Sequence, residues 1–163
     1  RHPKATMSAG LAVVHYKEDL RFALSQARRA EKISKESGRN ALTLTICRRS
    51  GEHSTATMGW DQVADVQALV NHYTATDISD RWSYRLRAVL PTLQSLPWPA
   101  IEGEIGRLLG RLEGAAGLLD EFRTTVAALL QRTKERAKSD AEALSTFVSL
   151  AQSASFLARG RDE

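Results

Sequence analysis

The chain has 163 residues and a mass of 18.0 kDa, enough for one ordinary domain or one and a half small ones. With 42% hydrophobic and 26% charged residues and a mean hydropathy of -0.32, it is not typical of disordered or collagen-like chains, and no apolar run approaches the roughly 18 residues of a membrane-spanning helix. The net charge of +4 is uneven, because residues 1–49 carry 11 Lys+Arg against 4 Asp+Glu and the remainder carries 12 against 15.

The first two predicted elements are a strand and a helix. Residues 6–14 form an apolar, partly alternating run with an internal glycine, which predicts a strand buried on both faces or nearly so. Residues 18–37 then predict a helix, because apolar or small side chains recur at helical spacing at Leu20, Ala23, Leu24, Ala27 and Ala30. A glycine at position 38 follows, where a left-handed helix cap is favoured.

Two more strands are predicted after this helix. Residues 41–49 alternate Leu42, Leu44 and Ile46 with two threonines and Cys47, which is typical of a strand. Two strands joined by such a helix normally run parallel, so the unit is β-α-β. Residues 53–58 predict a short antiparallel strand. Since Cys47 is the single cysteine, no internal disulfide can form, and we expect a reducing, cytoplasmic setting.

The rest of the chain, from Gly59 onward, has a helical period. Helices are predicted near residues 60–74, 79–94, 100–113, 118–138 and 140–159, with N-cap candidates at Asp77, Ser79 and Ser139. Five glycines between positions 103 and 117 predict either a poor helix or a close approach of another backbone. The predicted fold class is α+β and mostly helical, with a β-α-β domain at residues 1–58 and a helical domain at residues 59–163.

Four cations lie on one face of the first predicted helix. Arg21, Arg28, Lys32 and Lys35 fall within about 60° of arc at 100° per residue. Such a basic stripe is costly unless an anion or an acidic surface compensates it. The alternative is a solvated basic surface, which charge excess alone favours.

Two basic residues flank the predicted turn at Gly38. The segment Lys35-Glu-Ser-Gly-Arg39-Asn40 places an ammonium and a guanidinium where both can approach one anion, and the guanidinium can bind phosphate oxygens in bidentate fashion. The spacing therefore suits a polyphosphate. The alternative is that these cations offset the helix dipole and solvate a turn.

These residues carry a family resemblance. The run Ser8-Ala-Gly-Leu-Ala-Val-Val-His15, the following helix and the Lys35–Asn40 segment resemble the C-terminal half of the ferredoxin-like nucleotidyl-cyclase palm, which GGDEF diguanylate cyclases share with the polymerase-like large subunit of type III CRISPR effector complexes. The resemblance is to the Cmr-type subunit in particular. It covers residues 1–58, and the helical remainder resembles that subunit's C-terminal helical domain in position and type.

The resemblance implies a function in antiviral defence. It implies that the full-length protein binds ATP with Mg²⁺ or Mn²⁺ and makes cyclic oligoadenylate when its complex recognises target RNA. By position, Lys35 and Arg39 match the family's Lys-x-x-Gly-Arg pattern and would contact nucleotide phosphates, and Ser8 would lie near the nucleotide pocket. It also implies the other subunits of the ribonucleoprotein as partners, with crRNA and target RNA bound indirectly.

One family motif does not occur in the chain. The metal-binding Gly-Gly-Asp-Asp hairpin should precede residue 6, so we expect a C-terminal fragment that has no cofactor and no catalytic residue of its own, supplies only part of the phosphate site and does not turn over by itself. The start at Arg1, close to a strand, agrees with a chain that begins inside a larger protein. We expect exposed strand edges to favour dimerisation of the isolated piece.

Two other functions stay open. In one, a non-catalytic module uses the basic stripe to grip RNA backbone or an acidic protein, and its helices form the docking surface. In the other, a signalling cyclase uses GTP, although such proteins rarely continue into a helical domain of this size.

Overall fold

The computed structural model describes residues 5–51, 53–75 and 78–160, and the chain divides into two compact units, residues 1–63 and 64–163. The first contains a small three-stranded sheet and one covering helix, and the described part of the second is helical. The predicted α+β, mostly helical fold class is therefore confirmed. The assignment of domains to residues 1–58 and 59–163 stays a prediction, and Asp77 lies outside the described residues.

The predicted β-α-β unit forms. Strand β1 (Ala9–Val13), helix α1 (Leu20–Glu36) and strand β2 (Ala41–Cys47) follow one another, and β1 pairs parallel with β2. Strand β3 (His53–Gly59) then pairs antiparallel with β2, so the strand order is β1-β2-β3. The parallel connection and the antiparallel return are both as predicted.

Strand β1 is shorter and less buried than the sequence predicts. It lies at one edge of the sheet, none of its residues is fully buried, and Leu11 is 49% exposed. The predicted burial on both faces is wrong, since every residue of β1 is at least partly exposed, and an apolar run by itself does not distinguish edge from central strands.

Helix α1 has the caps that its sequence favours. The Asp19 carboxylate accepts a hydrogen bond from the Arg21 N–H at 2.6 Å at the start of the helix. At its end, the Ser37 N–H donates to the Ile33 carbonyl at 2.9 Å, and Gly38 has a φ of 98°. The predicted left-handed glycine after the helix is confirmed.

The sheet has two chemically different faces. On one face, the Thr43 and Thr57 hydroxyls lie 2.9 Å apart and those of Thr45 and Thr55 lie 3.2 Å apart, across directly opposed positions of β2 and β3. These pairs satisfy hydroxyls that would otherwise be buried without partners. The other face carries buried apolar side chains, at Leu44, Ile46, Ala56 and Met58.

Five α-helices follow β3 in the described residues, after one turn of 3₁₀-helix at Trp60–Gln62. They are α2 (Val63–Ala75), α3 (Arg81–Leu93), α4 (Trp98–Leu109), α5 (Ala116–Arg136) and α6 (Asp140–Arg159). Each lies within about four residues of its predicted bounds. Helix α4 begins two residues before the predicted start, because Pro99 is tolerated in a first turn, where an N–H has no helical partner.

Two of the predicted N-cap residues accept hydrogen bonds from helix N–H groups in the helical unit. The Ser139 hydroxyl accepts from the Glu142 N–H at 3.2 Å, and Glu142 accepts in turn from the Lys138 N–H at 2.9 Å, so α6 begins at a variant of the capping box. The Ser79 hydroxyl accepts from the Arg81 N–H at 3.3 Å at the start of α3.

The helical core is centred on aromatic rings. The Trp82 ring lies 6.1 Å from the rings of Phe122 and Phe147, and the three side chains are almost completely buried. The indole N–H of Trp82 donates to the Tyr73 hydroxyl at 3.0 Å, and burial raises the pKa of that phenol above its ordinary value. Trp82 is therefore a core anchor of the helical unit.

Two of the clustered glycines lie inside α4. A Cβ built at Gly103 or Gly106 would meet no atom within 4 Å beyond the helix's own backbone, so no other backbone closely approaches them. Of the two predicted alternatives, the close approach of another backbone does not occur at these positions. Both glycines are left with the conformational cost that glycine brings to a helix interior.

We therefore expect the double variant Gly103→Ala/Gly106→Ala to unfold at higher urea concentration, with its free energy of unfolding raised by about 1 to 2 kcal/mol. The control is Gly38→Ala. A Cβ at Gly38 also meets no atom, but the φ of 98° makes alanine strained and this variant less stable. Unchanged or lower stability of the double variant would contradict the open environment of the two glycines.

Candidate functional site

The site begins with a backbone contact between β1 and α1. A Cβ built on Gly10 would lie 2.1 Å from the amide nitrogen of Glu31 and 2.4 Å from the carbonyl oxygen of Ala27. Because both atoms belong to the backbone, only glycine fits here. The glycine of the Ser-Ala-Gly run therefore lets the helix lie directly on the strand.

The buried face of α1 is made of small side chains for the same reason. Ala30 is completely buried, and the buried Ser34 hydroxyl donates to the Ala41 carbonyl at 2.5 Å. The predicted apolar stripe is wrong in part, because Leu20 is 80% exposed and Leu24 is 48% exposed. Leucines at the contact would hold the helix too far from Gly10.

A shallow groove of about 270 Å³ opens where β1 begins beside α1. Residues from both elements line it, and these are Ser8, Ala9, Gly10, Ala27, Arg28 and Glu31. One hydroxyl, one guanidinium and one carboxylate thus border the same groove. The segment before Ser8 is held by the indole N–H of Trp60, which donates to the Met7 carbonyl at 2.9 Å.

Two lysines of the basic stripe contact carboxylates on their own helix. The Lys35 ammonium lies 2.7 Å from Glu31, whose carboxylate also borders the groove, and Lys32 lies 3.8 Å from Glu36. Both pairs are largely exposed, so each contributes well under 1 kcal/mol. The stripe is therefore partly neutralised from within α1.

Three arginines near the groove and the turn differ from these lysines, because they have no carboxylate partner in the described residues. The structure assigns the guanidiniums of Arg21, Arg28 and Arg39 no hydrogen bond or ion pair within residues 5–51, 53–75 and 78–160. Arg39 lies in the turn after α1 with a φ of 64°, and Asn40 follows with a φ of 49°. Left-handed conformations are uncommon outside glycine, so this turn holds Arg39 in an unusual backbone geometry.

The structure brings some predicted site residues together and leaves others apart. Ser8 and Arg28 border the same groove, and Lys35 is linked to it through Glu31. Arg39 is exposed in the turn and is not among the groove residues, while Arg21 and Lys32 lie exposed along α1. The phosphate-binding roles of Lys35 and Arg39 and the pocket role of Ser8 stay predictions.

The sequence analysis missed Glu31. Its four-residue spacing from Lys35 was a usable signal, since such pairs face each other on a helix. The sequence does not show that Glu31 borders the groove, because this position depends on the contact of α1 with Gly10.

The single cysteine of the chain, Cys47, lies buried on strand β2. Burial raises the pKa of the Cys47 thiol above its ordinary value, and the negative charge of Glu18 raises it further, so little thiolate forms near neutral pH. In the part of the chain that the structure describes, no three His, Cys, Asp or Glu side chains come close enough to hold a metal ion.

Comparison with protein families gives one match, at the residues that build this site. Residues 1–43 match the family model described as Cas10/Cmr2, second palm domain. The matched stretch holds β1, α1, the groove and the turn at Arg39, so the similarity to this palm domain falls on the residues that build the site. A search of curated proteins found none that matches the chain.

The match to the Cas10/Cmr2 palm ends just inside β2, so it covers about a quarter of the chain and none of the helical unit. None of the helices in the described residues is long and apolar enough to cross a membrane.

The Gly10 contact is directly testable. We expect Gly10→Ala to lower the free energy of unfolding by about 1 to 3 kcal/mol, since the new Cβ would overlap backbone atoms that cannot move away as a side chain can. Urea unfolding of this variant beside Gly103→Ala, where the added Cβ meets no atom, isolates the effect of the contact. Equal stability of Gly10→Ala and the native chain would show that strand and helix do not touch at this position.

Proposed function

We propose that the chain is a C-terminal part of a type III CRISPR large subunit that acts in antiviral defence in the cytoplasm. In this proposal the complete protein binds ATP with Mg²⁺ or Mn²⁺ and makes cyclic oligoadenylate after target RNA is recognised. The first unit supplies part of the phosphate site, and the helical unit docks against other subunits of the ribonucleoprotein. One observation carries the proposal, namely that the Cas10/Cmr2 palm match includes both the Ser8 groove and the Lys35–Arg39 segment.

The chemistry of the matched segment supports phosphate binding. Arg39 presents a guanidinium that no carboxylate among the described residues occupies, and a guanidinium can bind two phosphate oxygens at once. Lys35 is half exposed, and its bond to Glu31 is a surface ion pair that an incoming phosphate can displace at small cost. Arg28 adds a third cation at the groove itself.

The proposal assigns no catalytic residue to residues 1–163. Phosphoryl transfer requires divalent metal held by carboxylates, and the resemblance places these in a Gly-Gly-Asp-Asp hairpin that the sequence does not contain. What this chain's residues would supply is orientation and charge neutralisation at the nucleotide phosphates.

The phosphate contacts can be tested on the chain itself. We expect Lys35→Gln and Arg39→Gln each to weaken ATP binding about tenfold or more in calorimetric titrations, because each removes a charge-assisted hydrogen bond. Arg29→Gln is the matched control, since it removes an exposed cation of α1 that lies outside the stripe and the groove. ATP affinity that falls equally in all three variants would indicate a general charge effect rather than a site.

The same variants test the assignment in the complete protein. With the upstream segment restored and with ATP, Mg²⁺ and activating RNA complex present, cyclic oligoadenylate should form, and its rate should fall in Lys35→Gln and Arg39→Gln. Unchanged kinetics in both variants would end the assignment of these residues.

Removal of the Glu31 charge is expected to strengthen ATP binding, whereas removal of Lys35 or Arg39 weakens it. We expect Glu31→Gln to bind ATP about two- to fivefold more tightly, because the Lys35 ammonium no longer has to leave a carboxylate and a negative charge is removed beside the phosphates. Glu36→Gln, which frees Lys32 instead, is the control and should change the affinity less. Weaker binding in Glu31→Gln would mean that this carboxylate contacts the nucleotide.

The alternative is a module that binds RNA backbone or an acidic protein through the stripe of α1. The guanidiniums of Arg21 and Arg28 favour it, since neither has a hydrogen bond or an ion pair to a residue that the structure describes. Titrations with ATP and with single-stranded RNA at two salt concentrations separate the two functions, since backbone binding is steeply salt-dependent and indifferent to the nucleotide.

A further inference from the structure

We propose that a groove on the helical unit binds the phosphate backbone of a single-stranded nucleic acid through Arg81, Arg85 and Arg111. The groove has a volume of about 350 Å³. Its walls come from the start of α3, the end of α4 and the segment after α4, and the lining residues are Ser79, Arg81, Trp82, Arg85, Leu108, Arg111, Leu112 and Glu113.

The three arginines come from separate parts of the unit. Arg81 and Arg85 lie one turn apart on α3, whereas Arg111 follows α4. Packing of α3 against α4 brings the three guanidiniums around one groove. All three side chains are exposed, so they are available to a ligand.

None of these three guanidiniums has a hydrogen bond or an ion pair to any residue in the described ranges 5–51, 53–75 and 78–160. Other arginines of the unit do have partners. Arg87 of α3 donates to Gln152 at 2.8 Å, and Arg123 lies 3.2 Å from Asp120.

Helix α3 has no acidic residue to balance its charge. Its sequence contains three arginines and no Asp or Glu, and like charges at a four-residue spacing destabilise a helix. The carboxylate of Asp80, directly before the helix, is bonded to Ser155 and Arg159 and caps no α3 amide. The positive end of the helix dipole therefore adds to the arginine charge at the groove, where Glu113 is the acidic lining residue.

The composition of the groove favours nucleic acid over protein. Trp82 and Leu108 are only 2% and 5% exposed, so these two side chains are covered rather than presented as the centre of a protein interface. Three guanidiniums beside one carboxylate are suited to phosphates. Because Trp82 is buried, no base can stack on it, so the phosphate backbone is the part of a strand that the groove would bind.

Fluorescence anisotropy with a labelled single-stranded oligouridylate, measured over a range of salt concentrations, tests this on the full chain. We expect Arg81→Gln/Arg85→Gln/Arg111→Gln to weaken binding at least tenfold at low salt and to reduce the slope of log affinity against log salt by about 2, since single strands give about 0.7 per neutralised phosphate. Thermal unfolding should show a triple variant at least as stable as the native chain.

The control is Arg123→Gln/Arg136→Gln/Lys138→Gln, which lowers the net charge equally at residues that do not line the groove. Its affinity and salt slope should stay close to those of the native chain. Equal losses in both variants, no binding by the native chain, or competition by polyglutamate with no competition by RNA would each overturn the proposal. ATP binding by the first unit is measured independently, so either proposal can fail without the other.

Discussion

The contact between Gly10 and the backbone of α1 is the constraint on which the first unit depends. It removes all side-chain volume between strand and helix, and it requires small residues such as Ala27 and Ala30 on the facing side of α1. Because helix and strand touch, Ser8 at the start of the strand and Glu31 on the helix border one groove. The shape of the candidate site thus follows from the absence of one Cβ.

The features of the fold that could be predicted from the sequence are those that depend on local backbone preferences. Alternation at Leu42, Leu44 and Ile46 and the glycine at position 38 depend on local backbone preferences, and both were predicted correctly. The exposure of Leu20 and the edge position of β1 depend on tertiary neighbours. Periodicity identifies a helix reliably, but it does not say which of two adjacent stripes meets the sheet.

The two candidate sites also differ in how far the sequence predicts them. Cations at consecutive turns of α1 could be placed on one face from spacing alone, and the segment from Lys35 to Arg39 could be recognised from its motif. The groove of Arg81, Arg85 and Arg111 could not, because it joins residues about 30 positions apart and exists only when α3 packs on α4.

The two basic regions use their charges differently. On α1, Glu31 and Glu36 lie one turn from lysines, so the helix compensates part of its own charge and any anion must compete with a neighbouring carboxylate. On α3 no such carboxylate is present, and the helix bears the repulsion between Arg81 and Arg85. This repulsion lowers the stability of the helix. In the proposed complex, a phosphate bound between the guanidiniums would turn the same charges into favourable contacts. Arg87 of the same helix differs from these two arginines, because its guanidinium donates to Gln152 at 2.8 Å.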